Sequence, residues 1–449
     1  MSALGYAEVA WLGGEDVASG VVLTTSGDRI TEVVTGIPAA PPGARPLTGL
    51  TVPGLVNVHS HAFHRALRGR TQEGRGTFWT WREQMYAVAG RLTPESYRRL
   101  AAATYAEMAL AGITCVGEFH YLHHRPDGTP YARPNAMGEA LVDAAADAGI
   151  RLTLLDTCYL AGGIDRPLEG PQVRFGDGSA RRWAERASRL ESGPTVRTGA
   201  AIHSVRAVPV DEMRAVADWA NRRAVPLHVH LSEQEAENAE CLAATGCTPT
   251  ALLSRAGALG PRTVAVHATH LTAADVRLLG GSGTGVCMCP TTERDLADGI
   301  GPARDLAAAG SPLSLGSDSH AVIDIVEEAR GLELDERLRT RERGHWTAAE
   351  LLRAATDDGA RALGWPELGR LEVGALADFV SIDLRSVRTA GTLPESALAG
   401  VVFAAGAADV RDLVVGGRLI VDGGRHTTIH DVPGALAAAV REATEGVAS

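Results

Sequence analysis

The sequence predicts an α/β protein: a (β/α)8 TIM barrel with a small β-sandwich domain built from both chain ends. Three observations carry this. Eight short apolar runs alternate with helical stretches through the middle of the chain, which favours a parallel sheet, and eight such units favour a closed one. Nearly every run begins apolar and ends in His, Glu, Arg or Asp. Strand-like segments punctuated by glycine lie near both ends.

Residues 1–50 supply the first part of the small domain. YAEVAWLGG, GVVLTTSG and RITEVVTGI are short strands separated by Gly and Asp turns, and PAAPPGARPL is a proline-rich connector. Residues 51–365 form the barrel. Its candidate strands are LVNVHSH, ITCVGEFHY, RLTLLDTCYL, VRTGAAIHSVR, PLHVHLSE, TVAVHATH, TGVCMCPTTE and PLSLGSD. Helices between them include ESYRRLAAATYAEMALAG, ending at Gly112, and DEMRAVADWANRRA, ahead of Pro226. Residues 366–449 return to strands in ALADFVSIDL and DLVVGGRLIVDGG, then close with a terminal helix, ALAAAVREA.

The chain has 449 residues, 45% of them hydrophobic, enough for a large core. Its net charge of −11 comes from interspersed acids and bases with no basic stripe, which argues against nucleic acid as a partner. An anionic substrate would therefore need local arginines. The six cysteines are sparse and mostly set in apolar runs, as in a reducing compartment. Cys287 and Cys289 form C-x-C, which reads better as a buried strand with small apolar thiols than as a ligand pair. There is no basic N-terminal segment followed by an apolar run, and no apolar stretch near the roughly 20 residues of a membrane span. The expectation is a soluble, cytoplasmic chain with no membrane partner.

The polar strand ends point to function. In a (β/α)8 barrel the C-terminal strand ends form the active-site face, so eight polar ends converge on one site. An open doubly wound sheet would gather them only near its switch point. His59 and His61 in NVHSH are two apart, so on a strand they share a face with α-carbons about 6.6 Å apart. Two imidazoles so placed can reach one ion at about 2.0–2.1 Å. Alone, an H-x-H pair is as readily two core or solvated histidines; the apolar strand PGLVN before it strengthens the ligand reading. His230 ends PLHVHLSE, with Glu233 three residues on; His228 lies on the same face and competes for the role, but His230 is nearer the mouth. His267 ends TVAVH, and Asp318 ends PLSLGSD, with His320 a further candidate just beyond. Each alone also fits a surface or internally satisfied polar residue. Together they supply nitrogen ligands, a carboxylate and acid/base groups for one divalent metal ion, a set that suits zinc but also fits Fe(II), Mn or Ni.

The H-x-H after the first strand, single histidines after the fifth and sixth, and an aspartate after the eighth resemble the amidohydrolase superfamily, the metal-dependent hydrolase type of TIM barrel. No lysine sits in the fourth-strand region, which favours its mononuclear, deaminase-like branch. PGLVNVHSHAFHRALRG, TFWTWREQMY, GEFHYLHH, IHSVRAV, HVHLSEQEAE, VHATHL, CPTTERDLADG and GSDSH are similar to the members that act on N-formimino-L-glutamate, and span essentially the whole barrel. Where those members usually carry Gln after HAF, this chain has His64, at a position expected near the substrate.

The resemblance implies hydrolytic deimination of N-formimino-L-glutamate to N-formyl-L-glutamate and ammonia in histidine degradation, by a hydrolase of linear amidine C–N bonds. It implies one divalent metal ion, zinc with Fe(II) as the alternative, on His59, His61, His230 and Asp318. It makes Asp318 the acceptor of the water's proton, Glu233 the group exchanging a proton with the imino nitrogen, and His267 the residue orienting the nucleophile. For the small-molecule dicarboxylate it implies Arg82 and Arg206, whose guanidinium forks match carboxylates, with Tyr121, His203 and His64 adding hydrogen bonds. Read without the resemblance, Arg82 suits a solvated helix face and Tyr121 an ordinary strand-end aromatic, while Arg206 follows a barrel strand. His120, His123 and His124 receive no role. A homodimer is implied by resemblance alone. Competing readings are an aminohydrolase acting on another formimino or guanidino acid or on a ring amine, and a non-catalytic barrel scaffold. The complete ligand and proton-transfer set disfavours the scaffold.

Overall fold

A computed structural model of the chain describes residues 2–73, 75–76 and 78–447. The eight barrel strands are β1 (Leu55–Ser60), β2 (Ile113–His120), β3 (Arg151–Cys158), β4 (Val196–Ile202), β5 (Leu227–Leu231), β6 (Thr263–His267), β7 (Gly285–Met288) and β8 (Leu313–Leu315). Each pairs in parallel with the next. β1, β2, β3, β5, β6 and β8 are buried at every residue. Both faces of these strands are covered, which is why they read as near-continuous apolar runs.

The ring closes just beyond β8, where Ser60 bridges to Asp318 in parallel. The Asp318 N–H donates to the His59 carbonyl at 3.0 Å and the His61 N–H to the Asp318 carbonyl at 3.4 Å. Gly316 makes that approach possible. A Cβ there would lie 2.7 Å from the His59 Cβ and 3.0 Å from the Cys287 sulfur.

The helices form where the sequence indicates. Thr93 caps Pro94–Leu110, accepting from the Ser96 N–H, with proline at the first position. Val210–Arg223 carries Asp211 and Glu212 in its first turn and Arg222 and Arg223 in its last, which complements the helix dipole. It stops at Ala224, in the left-handed conformation, ahead of Pro226.

Both chain ends build a separate eight-stranded sheet. Its order is Arg425–His426, Arg418–Asp422, Val410–Val415, Phe379–Ile382, Arg45–Pro53, Ser2–Trp11, Val17–Ser26, Arg29–Val34. The two ends meet where Phe379–Ile382 runs antiparallel to Arg45–Pro53, Phe379 opposite Pro53. The terminal helix, Val432–Thr444, packs back on Pro94–Leu110. All six cysteines are buried and free. Among the described residues no helix is long and apolar enough to cross a membrane.

Candidate metal centre and active site

The ends of β1, β5, β6 and β8 bring their polar residues to one point. His59 Nε2 lies 3.1 Å and His61 Nε2 3.4 Å from Asp318 Oδ1. His230 Nε2 lies 3.0 Å from His59 Nε2 and 3.4 Å from His61 Nε2. His59, His230, His267 and Asp318 each offer a ligand atom within 4.8 Å of the others, and His61, His64 and Asp318 form an overlapping group.

The ring tautomers show what this cluster suits. His61 Nδ1 faces the Phe119 carbonyl and His230 Nδ1 the His203 carbonyl, each at 3.0 Å. A carbonyl only accepts, so both Nδ1 atoms carry the hydrogen and both Nε2 atoms present lone pairs. Two lone pairs facing each other at 3.4 Å repel unless a cation lies between them. Burial pushes His59 and His230 below the ordinary histidine range and His61 down to about 3, leaving neutral imidazoles. Burial opposes ionisation of Asp318, but contact with His59 and the neighbouring imidazoles holds its carboxyl well below the usual range. Three imidazole nitrogens and a carboxylate oxygen fit a divalent metal, with backbone carbonyls orienting two of the rings.

An acid/base chain adjoins this cluster. His267 Nε2 stands 3.8 Å from Asp318 Oδ2 and 3.9 Å from Glu233 Oε1, while its Nδ1 stands 3.4 Å from Glu293 Oε1. Burial works against a charge on His267, but Glu233, Glu293 and Asp318 raise its pKa well above the usual value. Burial lifts the Glu233 carboxyl, and burial with Glu233 nearby pushes Asp298 to about 8. His267 and Asp318 have positive φ, +69° and +40°. Strained non-glycine backbone of this kind collects at functional sites, where the surrounding fold enforces it.

The cluster opens on a cavity at the barrel mouth. His64, Arg82, Tyr121, His203 and Arg206 all line it. His64 Nε2 is 3.2 Å from the Tyr121 hydroxyl. Arg82, on α1 (Phe78–Ala89), donates through Nε to the Tyr86 hydroxyl at 2.8 Å. Arg206 pairs with Glu237 at 3.3 Å. His203 Nδ1 lies 3.2 Å from Ser204 Oγ.

The competing histidines separate. His228 Nε2 is directed to the Ala362 carbonyl, 3.1 Å away, and takes no part in the cluster. His320 is buried between Ser60 and Ser317, at 3.1 and 3.0 Å. His120, His123 and Asp156 form another compact group. Its carboxylate already accepts from both terminal nitrogens of Arg186 and from Trp183, so it is a neutralised ion pair. His124 pairs with Asp177 at 3.1 Å. Cys287 and Cys289 pack in an apolar cluster with Val56, Val58 and Val266.

Sequence reasoning missed several residues. Glu293 follows β7, so the polar strand-end rule would have flagged it. Glu118, near the end of β2, accepts from Ser60 Oγ at 2.6 Å and the Ala62 N–H at 2.7 Å, fixing the turn that carries His61. Tyr159, directly after β3, also lines the cavity, as do Tyr86 and Phe175, which come from a helix and a loop with no such signal.

The fold and this site define a TIM-barrel hydrolase with a metal-type histidine–aspartate cluster. The chain matches the Amidohydrolase family over residues 50–420 and belongs to that family. It is 39% identical over 399 residues to formimidoylglutamate deiminase of Pseudomonas aeruginosa, an alignment covering 86% of this chain and 87% of that protein. A solved amidohydrolase from Brucella melitensis superposes with a TM-score of 0.91 at 35% identity, covering 98% of this chain and 99% of the other. An adenosine deaminase from Xanthomonas campestris with bound zinc gives 0.85 at 26% identity, covering 98% and 97%. The chain is a hydrolytic deaminase of the amidohydrolase family.

Proposed function

We propose that the protein converts N-formimino-L-glutamate and water into N-formyl-L-glutamate and ammonia. One observation carries the reading: the histidine–aspartate cluster and two guanidinium groups, Arg82 and Arg206, open on the same cavity. A linear amidine with two carboxylates has one group for the cluster and two for the arginines. The 39% identity to a formimidoylglutamate deiminase supports it.

His59, His61, His230 and Asp318 would hold a divalent metal, which would supply Lewis acidity and bring the pKa of water towards about 7. Asp318 turns its second oxygen towards His267 and accepts the proton of the attacking water there. His267, held among Glu233, Glu293 and Asp318, orients that water and steadies negative charge developing on the former formimino carbon's substituents. Glu233, whose carboxyl burial lifts, hands a proton to the imino nitrogen; the proton taken up by Asp318 reaches the same nitrogen as the C–N bond breaks, and Glu233 takes back the hydroxyl proton, so nitrogen departs as ammonia and oxygen stays as the formyl carbonyl. Arg82 and Arg206 hold the carboxylates, and Tyr121, His203 and His64 add hydrogen bonds.

A ring amine is the second reading, because Tyr121, Tyr159 and Phe175 put aromatic surface into the cavity. Ammonia release measured across N-formimino-L-glutamate, N-formimino-L-aspartate and a panel of ring amines separates the two. Turnover of the glutamate derivative is expected to dominate; turnover of ring amines alone would sink the proposal.

A further inference from the structure

We infer that Gln172 is a positioning residue that turns the hydroxyls of Tyr86 and Tyr159 into donors for a ligand carboxylate beside Arg82 and Arg206. The inference rests on the dicarboxylate reading above and deepens it. None of these three residues belongs to the substrate-binding set described so far.

Gln172 lies in a short 3-10 turn, Gly170–Arg174, in the segment after β3, and is buried. Its Oε1 accepts from the Glu169 N–H at 3.3 Å. A backbone N–H only donates, so this contact fixes which end of the amide is oxygen. The Nε2 group therefore faces the other way, 3.0 Å from the Tyr86 hydroxyl and 3.2 Å from the Tyr159 hydroxyl. Tyr86 also accepts from Arg82 Nε at 2.8 Å.

A tyrosine hydroxyl has one hydrogen and two lone pairs. Both lone pairs of Tyr86 and one of Tyr159 are filled by N–H donors. Two hydroxyl hydrogens remain to be placed. Even if one of the two hydroxyls gives its hydrogen to the other, one hydroxyl hydrogen is left over. Among the described residues no protein oxygen or nitrogen accepts it, and both tyrosines line the cavity. Burial keeps Tyr159 protonated. The arginines beside them are donors only. This corner presents N–H and O–H groups, and a carboxylate, which only accepts, is its chemical complement.

The test uses the zinc-loaded full chain with glutarate as an inert dicarboxylate, butyrate as a single-carboxylate control, and steady-state kinetics on N-formimino-L-glutamate. Calorimetry should show Tyr86→Phe and Tyr159→Phe weakening glutarate by roughly 10- to 100-fold, the usual range for a hydrogen bond to a charged group. KM should rise by a similar factor, with kcat within a few-fold of wild type. Gln172→Glu, whose carboxylate would take the hydroxyl hydrogens away from the cavity, should weaken glutarate at least as much. Gln172→Met, without donors or charge, replaces it if that variant does not fold and should weaken glutarate less than Gln172→Glu. Unchanged glutarate affinity in both tyrosine variants overturns the inference, as does absence of glutarate binding to wild type. So does an effect on kcat with KM untouched. Glutarate binding that responds as expected in a protein that releases no ammonia from N-formimino-L-glutamate leaves the carboxylate corner standing and removes the proposed reaction.

Discussion

The Arg151 guanidinium grips the Asp378 carboxylate through two nitrogens, at 2.8 and 2.9 Å, with both side chains sealed from solvent. Arg151 opens β3 at the foot of the barrel, and Asp378 stands just before Phe379–Ile382 in the terminal sheet. The same carboxylate accepts the Gly416 N–H at 2.8 Å. The histidine–aspartate cluster lies at the opposite, C-terminal rim, so this pair belongs to stability. Asp378→Ala would strand a buried cation, at a cost of about 3–5 kcal/mol. We expect the thermal midpoint to fall by several degrees with kinetic constants of the surviving folded enzyme unchanged. The double variant Arg151→Met/Asp378→Leu should regain most of the loss; a double variant as unstable as the single one would contradict this account.

Chelation should abolish ammonia release, and zinc or Fe(II) should restore it. The facing lone pairs of His61 and His230 also predict a lower thermal midpoint for the stripped protein, because the cluster then loses the cation that reconciles them. Full activity after exhaustive dialysis against chelator, verified by elemental analysis, would refute the metal-centred reading.

Glu233→Gln should keep the metal and the substrate affinity while lowering kcat by about 10²–10⁴-fold, the span typical of an acid/base group. Metal content and glutarate affinity control for a collapsed site. A rate near wild type would take Glu233 out of the proton path.

Asp358 offers a pH test far from the metal cluster. Burial, with Asp357 nearby, raises its carboxyl to about 6. The folded state thus binds this proton more tightly than the unfolded chain, whose aspartates titrate near 3.9. The favourable contribution is full below pH 4 and is lost as pH rises through 6. Asp358→Asn should therefore stabilise the protein at pH 7–8, by about 1 kcal/mol after allowing for partial exposure, and give no advantage at pH 4. Melting curves across that range decide it; equal midpoint shifts at both ends would remove the titration argument.

Most of the barrel was legible because each strand must be apolar along its length and polar only at its mouth. His59, His61, His267 and Asp318 were readable from that rule alone. His228 and His230 show where the rule stops. Period two puts both on one face; nearness to the mouth favoured His230, and the Ala362 carbonyl reaching His228 is what holds the other ring out of the cluster. Tyr159 lay at the end of the candidate strand RLTLLDTCYL without a role, whereas Tyr86 and Gln172 were hidden for a different reason. They come from a helix and a loop folded over the mouth, and no periodicity in either segment encodes which side chain will face the cavity. The carboxylate partners of His267 were half visible: Glu233 was read directly, whereas Glu293 lay in CPTTERDLADG without a role.

The seam between β1 and β8 carries a further lesson. His59 and His61 enter at the first stave of the barrel and Asp318 at the last, joined by only a few backbone contacts around Gly316. A ribosome must therefore release nearly the entire barrel before these groups can meet. No truncated or half-folded chain displays the complete cradle, so a cation captured there certifies that the hoop has shut.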